Sequence, residues 1–357
     1  MPSEEQSVEI QGAICPIPLQ QDQIIVMGHG SGGKMMHDLI ASVFISKFNN
    51  QILSMGNDAG SLHLPKNGNI AVSTDAHVVK PLFFPGGDIG KLAICGTVND
   101  VSMLGARPLY LTDSFILEEG LAVSTIERIV QSMQEAASEA GVQVIAGDTK
   151  VVEKGNADGM YITTAGIGEI MSYPSEIGGQ FAQIGDKVII SGTLGNHGIA
   201  VLSARGELGF ETNICSDVAP LNSMIEELLK TSKNVHVLRD PTRGGVATSL
   251  NEIANQSKVG IILREEQIPV NPSVQSACEM LGFDPLYIAN EGKLIVICAP
   301  EDEMSVINTL RNHPYGINAK TIGIVDKNPA GRVIMKTLLG SHRIVDQLTG
   351  ELLPRIC

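Results

Sequence analysis

Residues 69–106 read NIAVSTDAHVVKPLFFPGGDIGKLAICGTVNDVSMLGA. The first six, Asn69–Thr74, alternate apolar and polar, the period of a half-buried strand, and Asp75 follows at the carboxyl end. After a turn rich in Pro and Gly, residues 90–103 are apolar enough for a buried helix, which carries Asp100. A strand, an acid at its carboxyl edge and a helix form the unit of an α/β fold, whose ligands collect at that edge.

Working outward, Leu109–Leu117 predicts another strand. Residues 124–140 (STIERIVQSMQEAASEA) predict a helix with Ser124 as N-cap, Glu127 three residues on and Gly141 as its stop. Strands are expected at 142–146 and 160–167. Residues 171–185 hold Pro, two adjacent Gly and no periodicity, and read as a linker. Beyond it, strands are expected at 187–191, 259–263, 293–298 and 321–326, and helices at 197–205, 220–230, 245–256 and 301–312. Upstream, 24–27 (IIVM) reads as a strand and 34–48 as an imperfect helical stripe. A chain of 357 residues has room for about two domains.

The composition excludes several classes. Hydrophobic residues make up 43% and charged residues 18%, which supports a packed core rather than disorder. Mean hydropathy is +0.14. Yet the longest apolar run is the six residues Leu294–Ala299, where a spanning helix needs about 20. The acidic start MPSEEQSVEIQG does not read as a secretion signal. A net charge of −14 argues against a duplex nucleic-acid binder, and the absence of Trp against a single-strand stacking platform. The six cysteines, at 15, 95, 215, 278, 298 and 357, form no CxxC pair, which fits a reducing, cytoplasmic setting. Cys95 and Cys298 lie in apolar runs and are expected to be buried. Cys357 is the last residue.

Between 24–27 and 34–48 lies Gly28-His29-Gly30-Ser31-Gly32-Gly33-Lys34. It satisfies GxGxxG, but the next plausible ribose acid, Asp58, is about 25 residues on, and Asn49-Asn50 spoils the second buried strand of a dinucleotide fold. It nearly satisfies a P-loop, but Met35 stands where Ser or Thr must hold magnesium. What remains is a glycine turn before a helix, whose free N–H groups suit a phosphate. His29 is a candidate ligand or a local hydrogen-bonding residue. Five acids recur in small-residue settings: Asp58 (GNDAG), Asp75 (STDAH), Asp100 (TVNDVS), Asp148 (AGDTK) and Asp240 (RDPTRGG). Each alone reads as a turn or cap residue. Together they suggest carboxylates bridged by magnesium beside a phosphate.

Thr74–Ala106, with HGSGGK at 29–34, RDPTRGGVATSLNEIA at 239–254, NEGK at 290–293 and the terminal PRIC at 354–357, resembles the carbamoyl dehydratases of nickel–iron hydrogenase maturation. These belong to the aminoimidazole ribonucleotide synthetase superfamily. The resemblance runs from about residue 24 to the end, and PRIC is its most discriminating part. It implies an α/β (α+β) chain with a two-domain PurM-like fold. An N-terminal segment with the glycine loop (1–45) would precede a mixed-sheet ATP-binding domain (46–172). A C-terminal α/β domain (180–335) and a flexible tail carrying Cys357 (336–357) would follow. It implies a homodimer pairing the N-terminal sheets, with ATP and Mg2+ near the interface. The partners would be the carbamoyltransferase HypF, which loads Cys357, and the HypC–HypD iron-carrying complex, which receives the cyano group.

The implied reaction is ATP-dependent dehydration of a thiocarboxamide on Cys357 to a thiocyanate. Cys357 would be the carrier, with Lys150 neutralising charge or moving a proton and Glu291 as base. Gly30, Ser31, Gly32, Gly33, Lys34, Thr149, Thr242, Arg243, Gly244, Gly245 and Asn290 would hold or orient nucleotide. Asp58, Asp75, Asp100, Asp148 and Asp240 would hold nucleotide and metal. His77 falls where the family varies and receives no role. From residue 336 the tail could extend roughly 70 Å, enough to insert or swing out. The alternative is a small-molecule phosphotransferase of the same superfamily, of selenophosphate synthetase or thiamin-phosphate kinase type, for which Cys15, outside the glycine loop, is the only candidate for a reactive N-terminal Cys. A non-enzymatic scaffold and a nicotinamide oxidoreductase are weaker readings.

Overall fold

The computed structural model describes residues 24–26, 29, 38–50, 68–206, 213–347, 353, 356 and 357. Cys15, Gly30, Ser31, Gly32, Gly33, Lys34 and Asp58 lie outside the described residues.

The N-terminal half begins with β1 (Ile70–His77), the short hairpin β2 (Phe83–Phe84) and β3 (Gly87–Asp88), and α1 (Ile89–Ser102). β4 (Ala106–Glu118), α2 (Val123–Ala140), β5 (Gln143–Val152) and β6 (Met160–Ile170) follow. The main sheet is mixed, in order β1-β6-β4-β5, with β4 and β5 parallel and the other pairs antiparallel. The parallel pair needs a crossover, which α2 supplies. α1 is buried nearly all round because it has the sheet on one side and the C-terminal half on the other. Asp88 caps it, accepting from the N–H of Gly90 at 2.8 Å and Lys91 at 3.0 Å. Gly90 lets α1 approach α2, since a Cβ there would stand 2.6 Å from the Ile129 carbonyl oxygen.

The C-terminal half contains β7 (Lys187–Ile190), α3 (Asn196–Ala204), α4 (Asn222–Thr231), β8 (Val235–Arg239), α5 (Gly245–Ser257), β9 (Gly260–Arg264) and α6 (Pro272–Leu281). β10 (Ile295–Cys298), α7 (Glu303–Asn312), β11 (Lys320–Asp326), β12 (Arg332–Lys336) and β13 (His342–Val345) complete it. Its sheet runs β13-β12-β9-β11-β7-β10-β8, with only β12 and β9 parallel. One apolar cluster crosses both halves, joining Leu92, Ile94 and Val98 of α1 to Ile199, Val201, Ile288, Leu353 and Ile356. Cys95 and Cys298 are fully buried, as expected. No helix among the described residues is long and apolar enough to cross a membrane.

Some elements differ from expectation. α2 starts at Val123 with Ala122 at the N-cap and no side-chain cap, so Ser124 lies inside the helix. The upstream chain fixes that start: Ile25 N–H donates to Leu121 O at 2.6 Å, and Ile24 bridges to Ala122. That isolated bridge is all the described strand structure of 24–27. In 34–48 the described helix includes π-type turns over Ile40–Ile45. Gly141 ends α2 at φ +70°, as expected. β8, α6, β12 and β13 were not foreseen. β13 starts the expected free tail as a sheet edge, so 342–345 is anchored.

Candidate active site

The site forms where β1 meets α1 and the C-terminal half. Strand alternation turns Ala71, Ser73, Asp75 and His77 towards the helices. Ser73 Oγ donates to Asp100 Oδ2 at 2.9 Å. Gly96, one turn before Asp100 on the same face, leaves the space that Asp75 and His77 fill. A Cβ there would stand 3.0 Å from His77 Cε1 and 3.3 Å from Asp75 Oδ2. His77 is buried with Nε2 3.6 Å from Asp75 Oδ2. Asn99 ties α1 to the other half: Nδ2 donates to the carbonyls of Ala219 (3.1 Å) and Glu291 (3.2 Å), and Oδ1 accepts from Leu221 N–H (2.8 Å).

Asp240 follows β8 directly and is buried. Burial, with repulsion from Asp100 and Asp75, pushes its carboxyl up to about 7. Burial also raises Asp100, with Asp75 adding and the Ser73 hydroxyl opposing. Thr242–Gly245 then turn into α5, with Gly244 at φ +74° and Gly245 at φ +60°. A Cβ on Gly245 would stand 2.4 Å from the Leu286 carbonyl oxygen. The Gly245 N–H closes the turn by donating to the Thr242 carbonyl at 2.9 Å, which sets the helix N-terminus, a position suited to phosphate, directly after the Asp240 loop.

Asn290 is fully buried and its amide is committed to backbone. Oδ1 accepts from Gly195 N–H at 2.7 Å, and Nδ2 donates to the carbonyls of Ile288 (2.9 Å) and Pro241 (3.1 Å). It orients the Asp240–Pro241 and Glu291 backbones, with both amide protons committed to backbone carbonyls. Glu291 is buried, and its Oε1 has no hydrogen-bond partner among the described residues. Burial, then Asp240, Asp75, Asp217 and Asp100, hold its carboxyl well above the usual range. Lys293 forms a buried ion pair with Asp217 at 2.8 Å.

Cys357 reaches this cluster. A backbone oxygen of its terminal carboxylate accepts from Val78 N–H at 3.1 Å. Burial raises the thiol above its ordinary range; Glu291 adds to the rise and Arg243 opposes it. The same electrostatic neighbourhood holds Asp75 and Asp240. Cys357, Glu291, Asp75, Asp100, Asp240 and Arg243 therefore form one site.

Asp148, Thr149 and Lys150 are elsewhere in the same chain. Lys150 Nζ pairs with Asp148 Oδ2 at 3.0 Å on an exposed surface of β5. β5 and β1 are the opposite outer strands of the sheet. Asp148 and Lys150 align with Ser114 and Ile116 of β4, whose alternate residues Asp113 and Phe115 are buried. Thr149 is buried. Sequence reasoning missed His77, Asp217 and His197; Lys293 was visible within NEGK but unassigned.

No three His, Cys, Asp or Glu side chains among the described residues are gathered closely enough for a metal site. The donor chemistry nevertheless fits a cation: Asp75, Asp100 and Asp240 repel one another and raise the carboxyls of Asp100 and Asp240.

Residues 56–170 match the family model "AIR synthase related protein, N-terminal domain", and residues 183–336 match the corresponding C-terminal domain. The carbamoyl dehydratase HypE of Cupriavidus necator is 52% identical over 333 residues, covering 93% of this chain and 95% of that protein. A crystal structure of hydrogenase maturation protein HypE in complex with ATP superposes with a TM-score of 0.89 at 50% identity, covering 93% of this chain and 99% of that one. The HypE of a HypE–HypF complex gives 0.76 at 51% identity, covering 87% and 99%. With this identity along both halves and its terminal cysteine, the chain belongs to the HypE family of hydrogenase maturation carbamoyl dehydratases.

Proposed function

We propose that this chain uses ATP to dehydrate a carbamoyl group carried on Cys357, supplying the cyano ligand for nickel–iron hydrogenase maturation. The carrying observation is the terminal thiol, largely buried within the electrostatic reach of a buried carboxyl, Glu291, whose Oε1 has no hydrogen-bond partner among the described residues. The net reaction converts Cys–S–C(=O)–NH2 and ATP into Cys–S–C≡N, ADP, phosphate and a proton. The carboxamide oxygen attacks the γ-phosphorus and the bond to ADP breaks. Loss of both N–H protons and cleavage of the C–O bond then give the nitrile. One of those protons ends on the released phosphate and one is released. Glu291 takes a proton from nitrogen, and Arg243 with the turn Thr242–Gly244 holds phosphate charge.

A magnesium ion held by Asp75, Asp100 and Asp240 would screen the triphosphate and relieve the repulsion that adds to burial in raising the Glu291 carboxyl. Asp75→Asn or Asp240→Asn should weaken ATP binding about tenfold in the presence of magnesium, with chelator erasing the difference. Calorimetry giving wild-type affinity for both variants would remove these acids from the site. HypF as loading partner and HypC–HypD as acceptor complete this reading, in the cytoplasm, where a carrier thiol stays reduced.

Lys150 acts in this reading from a second copy. Two strands separate β5 from β1, about 14 Å, and Lys150 is on the face opposite the helices. Ile116 is exposed next to it, and Ile70 and Val72 are exposed on the same face at the far edge of the sheet, which supports a homodimer through this sheet. Lys150→Ala and Cys357→Ala should each be inactive. Mixed and allowed to exchange subunits, they should recover about a quarter of wild-type dehydration, because half the dimers carry one intact site. A mixture as inactive as its parents would place Lys150 in its own chain's site or in none.

A further inference from the structure

The chain end is held by groups that the reaction does not consume. Leu353 and Ile356 are buried in the cluster that spans both halves. His197, on α3, is 0% exposed, with Nε2 2.8 Å from the Ile356 carbonyl oxygen and Nδ1 2.8 Å from Ser216 Oγ. A carbonyl oxygen only accepts, so Nε2 carries the proton and donates. Burial keeps the ring neutral, with Asp217 pulling the other way, so Nδ1 accepts from the Ser216 hydroxyl. Ser216 Oγ in turn accepts from Val218 N–H at 3.1 Å. These bonds run in one direction, from Val218 through Ser216 and His197 to Ile356, and fix both the tautomer and the aim of the ring.

The local sequence provides room for this latch. The Phe84 ring packs edge-on against His197, with centroids 5.4 Å apart. At Gly198, a Cβ would stand 2.4 Å from Ile288 Cγ2 and 3.2 Å from Leu353 Cδ1. The latch grips a backbone carbonyl, so its hold is independent of what the neighbouring thiol carries. If the tail leaves, the buried Nε2–H loses its acceptor, which favours the docked state.

We propose that His197 is a positioning residue for dehydration: its Nε2–H latches the Ile356 carbonyl and thereby holds the loaded Cys357 beside Glu291. The catalytic consequence rests on the dehydratase reading, but the latch governs exposure of the thiol and is readable without turnover. A single buried hydrogen bond biases the docked population about tenfold, enough to hold the tail and weak enough to release it to a partner.

The test is pulsed alkylation of the full-length chain with iodoacetamide, read by mass spectrometry on the peptide Leu352–Cys357 released by cleavage after Glu351. His197→Phe keeps a ring without a donor and should raise the alkylation rate of Cys357 about tenfold. His197→Gln, whose amide nitrogen reaches towards the Nε2 position, should restore most of the protection. Ser216→Ala leaves the ring and frees its tautomer, and should give an intermediate rise even if His197→Phe fails to fold. ATP affinity should be unchanged throughout. With an active transferase, His197→Phe should lower kcat for dehydration about tenfold without slowing loading. Wild-type alkylation rates in folded His197→Phe or, should that variant not fold, in Ser216→Ala would overturn the latch. Faster alkylation in these variants, with wild type unable to dehydrate its load, would sustain the latch and reject the dehydratase reading.

Discussion

Cys357→Ala should produce no thiocyanate while binding ATP within about twofold of wild type, because the thiol carries the substrate and makes none of the proposed nucleotide contacts. The effect is absolute: without the sulfur there is no thioester-like carbon to phosphorylate. Removing the residue's sulfur leaves the contact from Val78 N–H to the terminal carboxylate of residue 357, so the tail keeps its anchor. Intact-mass spectrometry after incubation with HypF, carbamoyl phosphate and ATP reads the loss of product, and calorimetry reads ATP. Cyanide formation by this variant would remove Cys357 from the reaction.

The second large effect is at Glu291. Glu291→Gln should slow dehydration about 10²–10⁴-fold and let carbamoylated Cys357 accumulate, because the base acts after loading. The amide is isosteric and neutral, and the native carboxyl is itself held well above the usual range by burial and four neighbouring acids. Folding should therefore be preserved. The pH profile separates a base from a structural residue. A raised carboxyl is protonated below its shifted value and becomes a base as pH rises, so the wild-type rate should climb with pH and the residual Glu291→Gln rate should lose that dependence. An unchanged slope in the variant, or an unchanged rate, would assign the base elsewhere.

Much of this site was legible because its chemistry is written in local pattern. Asp75 follows an alternating strand, Asp100 lies in an apolar helix, and Asp240 precedes a Thr-Arg-Gly-Gly turn. Each position depends on neighbours within a few residues. What escaped is set by distant chain. His197 sits in an unremarkable LGNHG segment, and its role comes from Ser216 and Ile356, which fold onto it. Asp217 gains meaning only from burial against Lys293. Asn290 was legible beside Glu291, but the three backbone partners of its amide were not. Ser124 had good capping chemistry, but Ile24 and Ile25 hold the chain so that the cap falls two residues earlier, at Ala122.

The fold shows the same division. The long periodic helix at 124–140 was recognisable, whereas β12 and β13 are short and depend on pairing with β9 and each other. Their formation turns the first part of the expected tail into a sheet edge. α6 carried a readable signature, Asn271 before Pro272 and Gly282 behind Leu281, that the hydrophobic pattern alone did not bring out. Lys150 is the instructive residue of the sheet. Its proximity to Asp148 in sequence suggested a shared site with Asp75, but the strand order places β5 and β1 at opposite edges of the sheet.

The most direct measurement is a time course of the mass of the C-terminal peptide ending in Cys357, with HypF, carbamoyl phosphate, magnesium and ATP. The peptide should first gain about 43 Da for the carbamoyl group and then lose about 18 Da as water is removed, the second step requiring ATP. A peptide that never gains the carbamoyl mass beside an active HypF, or that keeps it unchanged in the presence of ATP, would contradict the account.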